Sequence, residues 1–313
     1  DQEFNFNPRD TRFGFAASTT NGDWSYQAKM EMDFYGSNAN NNLLPRLRLG
    51  YAEARHSSGM NVRAGQDWIP VAQQNPGTID FGIQSWSGNL WWRVPQVTVR
   101  YQQPRYEFLV SAMKHRIATL QEQDETMPWV LARAAVHDLL VDGSLFAIGG
   151  GFRSVTIDSV GFSTDYSPYM VAAEFKVPVG DTGVVVNGEA YLDEGVGREF
   201  LHYGFDYNPD HPDGAREIAS QGGFVSVKVP TSARTDVNVG FGLDDPDSDD
   251  LAGMRRDAPY LLNKSAFANF KFKVTPQFGW GLEVIHFETD VAVAGGTDGL
   301  SGQRFTGSWW YIF

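Results

Sequence analysis

Residues 46–68, RLRLGYAEARHSSGMNVRAGQDW, contain two segments in which polar and apolar side chains alternate. The first segment runs in the order Arg46, Leu47, Arg48, Leu49, Gly50 and Tyr51. After the turn signal HSSG, the second runs through Met60, Asn61, Val62, Arg63 and Ala64. A period of two places neighbouring side chains on opposite faces of a strand. This stretch therefore predicts a β-hairpin with one apolar face and one basic face.

Two all-β architectures are built from strands of this kind. A water-soluble sandwich turns its apolar faces inward and its polar faces to water. A transmembrane barrel turns its apolar faces to lipid and lines a wet lumen with the polar ones. The choice between these two architectures decides which functions are available to the chain.

Composition limits the class of protein. The chain has 313 residues, no cysteine and a formal net charge of −13. The negative charge argues against nucleic acid as a partner, and the absence of cysteine excludes disulfides and thiolate metal sites. No run of about 18 apolar residues occurs, so the sequence predicts no transmembrane helix. No signal peptide is present, and we expect the chain that starts at Asp1 to be processed or incomplete.

Strand-like segments recur along the whole chain. Two of them belong to residues 46–68, and the other thirteen are 11–18, 24–35, 92–102, 105–116, 128–138, 144–155, 168–177, 183–193, 217–229, 233–243, 262–274, 278–288 and 302–313. Short connections such as TTNGD and PVGDT alternate with long polar loops such as 192–216 and 244–259. Short turns at one rim and long loops at the other are typical of outer-membrane barrels, with the short turns periplasmic and the long loops extracellular.

Aromatic residues cluster where these strands begin or end, as interfacial girdles would require. The chain ends in WWYIF, and a terminal Phe on an aromatic strand resembles the recognition signal of bacterial outer-membrane proteins. Core aromatics of a sandwich are the alternative interpretation. Residues 70–88 have no clean period and contain Pro and Gly, which predicts a long loop.

The order of these motifs resembles bacterial general porins, and more closely the DcaP-like trimeric porins. TRFGFAAS, a short turn and QAKMEMDFYG are similar to the second and third strands of such a barrel. PRLRLGYAEA and VRAGQDW are similar to the next hairpin, and RVPQVTVRY, VVVNGEAYLDEGVGREF and SAFANFKFKVTP follow in the family's order. The resemblance implies one outer-membrane β-barrel domain over residues 1–313, with residues 70–88 as a constriction loop folded into the lumen. It also implies a homotrimer in contact with outer-membrane lipid and lipopolysaccharide.

Two features depart from the family. Its first strand has no clear counterpart, because only Phe4 and Phe6 alternate before Arg12. Because bacterial barrels have an even number of strands, we expect sixteen, with the first supplied by residues before Asp1 or by residues 1–8. The sequence also predicts no counterpart of the family's helical N-terminal extension within residues 1–313.

The inward phase of the strands is basic. By alternation, roughly fifteen basic and eight acidic residues face the lumen. The resemblance implies an arginine ladder facing acids of the constriction loop, where Asp80 is the only acid. The candidate pore-lining residues are Arg12, Arg46, Arg48, Arg63, Arg93, Arg100, Arg133 and Asp80. The alternative is that the arginines merely pair with Glu31, Asp33 and Asp67.

No motif for catalysis, for a cofactor or for a metal stands out. There is no hydrolase elbow, no phosphate loop with lysine and no metal-ligand spacing. The acidic segment DDPDSDD at 244–250 lacks EF-hand spacing, which favours a solvated loop over a calcium site. The sequence therefore predicts a porin, not an enzyme, for passive diffusion of small anionic solutes, and the resemblance implies dicarboxylates. The alternatives are a structural or sheath barrel that holds a partner, and an outer-membrane barrel enzyme.

Overall fold

The computed structural model describes residues 8–37, 43–116, 127–159, 162–201, 206–254, 260–293 and 296–313. The described strands are β1 (Phe13–Asn21), β2 (Trp24–Asp33), β3 (Arg46–His56), β4 (Met60–Trp68), β5 (Arg93–Gln102), β6 (Tyr106–Met113), β7 (Trp129–His137), β8 (Leu145–Phe152), β9 (Val155–Ser159), β10 (Phe162–Tyr166), β11 (Tyr169–Pro178), β12 (Val185–Glu194), β13 (Tyr207–Asn208), β14 (Arg216–Glu217), β15 (Ala219–Ser232), β16 (Thr235–Pro246), β17 (Tyr260–Lys273), β18 (Phe278–Val293) and β19 (Gly296–Tyr311). Two short 3-10 helices lie at Gly180–Thr182 and Gly197–Glu199. Within these ranges, no helix is long and apolar enough to cross a membrane.

Fifteen of these strands form one antiparallel sheet in chain order. They are β1 to β8, β11, β12 and β15 to β19, while β9–β10 and β13–β14 form separate two-stranded sheets. The prediction of an all-β antiparallel fold with fifteen strands in this chain is confirmed. The last hairpin is longer than predicted, because β18 and β19 remain paired as far as Val293 and Gly296. Strand β19 begins with the residues GTDGLS, which show no apolar alternation, so the sequence pattern does not predict this part of the strand.

The sheet has two edges, at β1 and β19. In the described part of the chain, no pairing joins these two strands. Every residue of β1 is exposed. An open edge in hydrocarbon costs several kcal/mol for each unsatisfied backbone group. A sixteenth strand therefore stays a prediction, and residues 1–7, with Phe4 and Phe6, lie outside the described residues.

Alternation separates an exposed apolar face from a buried one that is largely polar. In β6, Phe108 and Val110 are 53% and 56% exposed, whereas Leu109 and Ser111 are 3% and 1% exposed. Val97 and Val99 of β5 are exposed in the same way, and Thr98 between them is buried. A soluble sandwich would bury its valines and expose its serines and threonines. The observed orientation is that of a barrel whose outer surface meets lipid.

Strand β3 contains an irregularity that changes the phase of its side chains. Glu31 of β2 pairs with Leu49, but the next residue of β2 pairs with Leu47, so that Arg48 is an extra residue in β3. One extra residue of this kind is a β-bulge, and it shifts the alternation by one. Leu47 is accordingly 43% exposed and Leu49 only 6%. Regular alternation placed both leucines on the apolar face, and for Leu49 this prediction is wrong.

Two loops fill part of the space inside the sheet. Residues 69–92, which connect β4 to β5, and residues 195–201, which follow β12, bury apolar side chains against the wall strands. Members of this core are Ile69, Val71, Leu90, Trp129, Met170, Val196, Phe200 and Leu201, each less than 2% exposed. The two loops are joined by hydrogen bonds from the Trp91 backbone N–H to the Phe200 carbonyl and from Trp92 Nε1 to the Leu201 carbonyl, both 3.0 Å.

Placement of the apolar face against lipid can be tested with one added charge. We expect Val110→Lys to lower the free energy of unfolding in lipid vesicles by about 2–4 kcal/mol, the cost of a lysine on a lipid-facing strand near the bilayer midplane. Leu139→Lys, in the exposed turn between β7 and β8, is the control and should have little effect. Equal effects of the two substitutions, measured by urea unfolding, would contradict a lipid-facing β6.

Candidate functional site

Residues 69–92, called the inward loop below, are fastened to the opposite wall by buried carboxylates. The backbone N–H groups of Gln73 and Gln74 donate to Glu174 Oε2 at 2.8 and 3.0 Å. Those of Ile79 and Asp80 donate to the two carboxylate oxygens of Glu283 at 2.6 and 2.7 Å. Hydrogen bonds to a charged acceptor are about twice as strong as neutral ones. The carboxylates thus satisfy backbone donors that would otherwise be buried without a partner.

Further contacts extend this attachment along the loop. The Leu90 N–H donates to Glu189 Oε1 at 2.5 Å. The Ser87 hydroxyl lies 2.5 Å from that of Ser265, and Lys271 Nζ donates to the Thr78 carbonyl at 3.1 Å. The loop therefore contacts strands β11, β12, β17 and β18, which lie across the interior from β4 and β5.

Gly88 shows how closely the inward loop approaches the wall. Its φ of 99° lies in a region that side chains rarely adopt, and a Cβ there would stand 2.1 Å from the Gly223 carbonyl oxygen. Only glycine is compatible with both the backbone conformation and the contact.

Asp80 pairs with an arginine of the last strand. Its carboxylate lies 2.7 Å from Arg304 Nη2 on β19 and accepts a hydrogen bond from the Gly82 N–H at 3.0 Å. Burial raises the pKa of Asp80, and the Arg304 guanidinium acts in the opposite direction. The only acid of residues 70–88 is thus matched by a cation on the last strand.

Arginines and aromatic rings are layered at the long-loop end of β2 and β3. Phe81 of the inward loop stacks on Tyr35, with ring centroids 4.3 Å apart. The guanidinium carbons of Arg12, Arg46 and Arg48 lie 5.9, 5.7 and 5.5 Å from the Phe81 centroid. Cations at such distances are attracted by the ring quadrupole. The loop thereby brings its aromatic side chain into the arginine-rich wall.

Two of these arginines are neutralised by acids of β2. Arg46 Nη2 lies 2.6 Å from Asp33 Oδ2. Arg48 Nε and Nη1 lie 2.8 Å from Glu31 and 3.0 Å from Asp33. The sequence predicts Glu31 and Asp33 as alternative ion-pair partners of these arginines. Both carboxylates form such pairs in the structure.

Arg93 differs from its neighbours because no carboxylate of the described residues pairs with it. It is 9% exposed, and its Nη1 has no hydrogen-bond partner. Its guanidinium carbon lies 4.5 Å from the Trp68 centroid and 5.6 Å from that of Trp91. In the β4–β5 ladder, Arg93 lies opposite Trp68. It is four residues from the exposed Val97, so regular alternation would place its side chain on the exposed face of β5. Its burial therefore comes from the loop and strand ends around it and not from strand alternation.

We call this group the arginine cluster. It comprises Arg9, Arg12, Arg46, Arg48 and Arg93 with Asp10, Glu31 and Asp33. Five guanidinium groups face three carboxylates, which leaves a surplus of two positive charges.

A second group, called the paired row, lies nearer the short turns on β3, β4, β5, β6, β7 and β11. It comprises Arg55, Arg63, Arg100 and Arg133 with Glu53, Asp67, Glu107 and Glu174. Arg133 is fully buried between Glu107, at 2.7 Å, and Glu174, at 2.5 Å. Its four guanidinium groups and four carboxylates balance. Of the eight candidate residues, the structure thus brings four into the arginine cluster and three into the paired row, while Asp80 pairs with Arg304.

Sequence reasoning missed the side chains that organise these groups. Phe81, Trp68 and Trp91 were not candidates, although aromatic residues beside a basic strand are a usable signal. Acids of 244–250 have structural partners, since Asp244 accepts from the Tyr191 and Tyr260 hydroxyls. In the described ranges, no group of three or more acidic or histidine side chains is arranged to hold a metal ion.

Comparison with known proteins identifies the fold. No protein-family model and no curated protein sequence matches the chain. The outer membrane channel DcaP of Acinetobacter baumannii is similar, with a TM-score of 0.79 and 19% identity over 97% of this chain and 85% of that chain. An anion-selective porin from Comamonas acidovorans has a TM-score of 0.60 and 11% identity over 96% and 89% of the two chains. The trimer form of OmpT, an outer membrane protein of Vibrio cholerae, has a TM-score of 0.56 and 13% identity over 96% and 91%. The predicted resemblance to DcaP-like porins is confirmed in the fold.

Attachment of the inward loop through Glu283 can be tested by removing the acceptor. We expect Glu283→Leu to lower the free energy of unfolding by about 3 kcal/mol, since buried donors without a partner cost about 1–3 kcal/mol each. The detached loop should also change the single-channel conductance. Glu288→Leu, on the same strand but exposed and paired with Lys264, is the control and should leave both quantities near wild type. Wild-type stability and conductance in Glu283→Leu would show that the carboxylate does not hold the loop.

Proposed function

We propose that this chain is an outer-membrane porin through which small anionic solutes diffuse passively. The observation that carries the proposal is the surplus of two positive charges in the arginine cluster, where Arg93 has no acid partner in the described residues. An exposed apolar face and the likeness to porins and channels support placement in a bacterial outer membrane.

Unpaired Arg93 gives the proposal its physical basis. A buried charge is stable only when it is paired or hydrogen-bonded. Two opposite unit charges about 4 Å apart attract each other by about 1 kcal/mol in water and by about 4 kcal/mol at an effective dielectric constant of about 20. An entering carboxylate therefore gains energy beside Arg93, whereas a cation of the same size is repelled. Two acids of the cluster, Glu31 and Asp33, are already engaged by Arg48 and Arg46, which limits the attraction of cations.

The inward loop is, in this proposal, the constriction. Its attachment to Glu174, Glu189 and Glu283 occupies acids of the opposite wall. The passage then runs between the loop and strands β1 to β5, along the arginine cluster. The anion selectivity of the similar porin from Comamonas acidovorans agrees with an anionic solute.

Dicarboxylates are the solutes that we propose on the strength of the resemblance. Arg93 and Arg100 stand seven residues apart on β5, which at about 3.3 Å per residue is roughly 23 Å. A short dicarboxylate cannot span that distance. It would therefore contact the arginine cluster first and the paired row afterwards, each weakly enough to leave.

Two other functions receive less support. A sheath barrel would need space for a partner, but residues 195–201 and the inward loop fill part of the interior with apolar side chains. A barrel enzyme would need a nucleophile beside a base in the lumen. The His56 ring does lie 2.8 Å from the Ser58 hydroxyl, but His56 ends β3 and Ser58 lies in the exposed turn that follows it.

We further propose a homotrimer with β1 and β19 at the subunit interface. These edge strands expose large aromatic side chains, including Phe15 at 70%, Phe305 at 77% and Trp309 at 67%. The similar OmpT structure of Vibrio cholerae is a trimer form. Aromatic residues are enriched at protein interfaces, so a neighbouring subunit would cover this surface.

Arg93 should set the ion preference of the channel. We expect Arg93→Gln to lower the anion-to-cation permeability ratio by about threefold to tenfold, since 1.4 kcal/mol corresponds to about one decade. The ratio is measured from the reversal potential of single channels in a KCl gradient. Arg234→Gln, in an exposed turn, is the matched control and should keep the wild-type ratio. If both variants keep it, Arg93 does not control permeation.

Assembly can be measured directly. In a mild detergent, light scattering should give three times the chain's 34.8 kDa for the protein component. Phe305→Lys together with Trp309→Lys should release monomers, because two charges would be buried at the interface. A wild-type mass equal to one chain would contradict the homotrimer.

A further inference from the structure

A cavity of about 330 Å³ lies between the inward loop and strands β4 and β5. Its polar lining includes Asn61, Arg63, Gln73, Asn75, Thr98 and Arg100, and Ile69, Pro70 and Leu90 supply apolar surface. Ligand pockets have volumes of about 300–1,000 Å³, so this one suits a solute of a few carbon atoms.

The two arginines of the cavity are held very differently. Arg63 is engaged by Glu53 at 2.6 Å and by Asp67. Arg100 approaches Glu107 only to 3.6 Å, and Glu107 is already bound by Arg133 at 2.7 Å. The Arg100 guanidinium therefore keeps N–H donors for a ligand, and a carboxylate is the group that matches them best.

Two amides of the inward loop offer complementary hydrogen-bonding groups. Gln73 Nε2 donates to the Pro70 carbonyl at 3.1 Å, which leaves its side-chain carbonyl oxygen as an acceptor. Asn75 Oδ1 accepts from Asn89 Nδ2 at 3.2 Å, which leaves its NH₂ group as a donor. Both residues are exposed. A hydroxyl group both donates and accepts, so it can satisfy either amide, whereas a methylene group satisfies neither.

We infer that the preferred solutes are hydroxylated carboxylates, which place a carboxylate on Arg100 and hydroxyl groups on Gln73 and Asn75. This inference rests on the proposed porin function and names its substrate class. Because the charges of the paired row balance, binding here is weak. Weak binding is compatible with passage, since a solute must also leave its site.

The test compares two dianions of the same shape. Tartrate carries hydroxyl groups where 2,3-dimethylsuccinate carries methyl groups, and both acids are fully ionised at about pH 8. Calorimetric titration of the trimer in detergent measures binding, and swelling of proteoliposomes measures entry. We expect tartrate to bind about threefold to tenfold more tightly, which corresponds to about one net hydrogen bond.

Three variants locate the preference. Gln73→Met should weaken the binding of tartrate and leave the affinity for 2,3-dimethylsuccinate unchanged. The ratio of the two affinities should therefore move closer to one. Arg100→Gln should weaken both acids alike, because both carry the carboxylate. Gln277→Met, in the exposed turn between β17 and β18, is the control and should preserve the wild-type ratio.

Equal binding of the two acids to the wild-type protein would overturn the inference, and so would a full tartrate preference in Gln73→Met. Neither result would affect the porin function, which is tested separately by the reversal potential in KCl. Cation selectivity in that measurement would overturn the proposed function itself.

Discussion

The carboxylates of Glu174, Glu189 and Glu283 bind backbone N–H groups of the inward loop, and the rest of the site depends on this contact. A loop that enters the interior of a sheet takes its peptide groups away from bulk water. Each buried donor then needs an acceptor, or the loop is expelled. Three wall strands supply those acceptors as carboxyl oxygens. The apolar core around Trp129 and Phe200 adds the hydrophobic part of the attachment.

This contact also separates the charges of the interior. Acids of the far wall are occupied by the loop, and Asp80 is occupied by Arg304. They are consequently not available to neutralise the arginines of β3 and β5. The arginine cluster keeps its surplus of positive charge, and Phe81 is held among its guanidinium groups. One structural solution, the fastening of the loop, thus produces the electrostatic asymmetry from which the proposed function follows.

Much of this architecture could be predicted from alternation alone. The phase of β6 and β5 is regular, so the strands and their apolar outer face follow from the sequence. The bulge at Arg48 could not be predicted, because one extra residue leaves no mark in composition and reverses every later side chain of β3. The inward course of residues 195–201 was also missed, since Val196, Phe200 and Leu201 are scattered in a loop without a period. Arg93 was predicted to face inward by alternation, but it shares the phase of the exposed Val97, and that part of the prediction is wrong. Its burial depends on Trp68 and Trp91, whose rings pack beside it.

The central claim is that the arginine cluster gives the passage a positive potential. Its most direct test is the reversal potential of the wild-type channel in KCl gradients at low and at high ionic strength. We predict anion selectivity that weakens toward about 1 M salt, where the Debye length falls to about 3 Å and screens the arginines. A cation-selective channel, or an anion preference that does not respond to salt, would contradict this account.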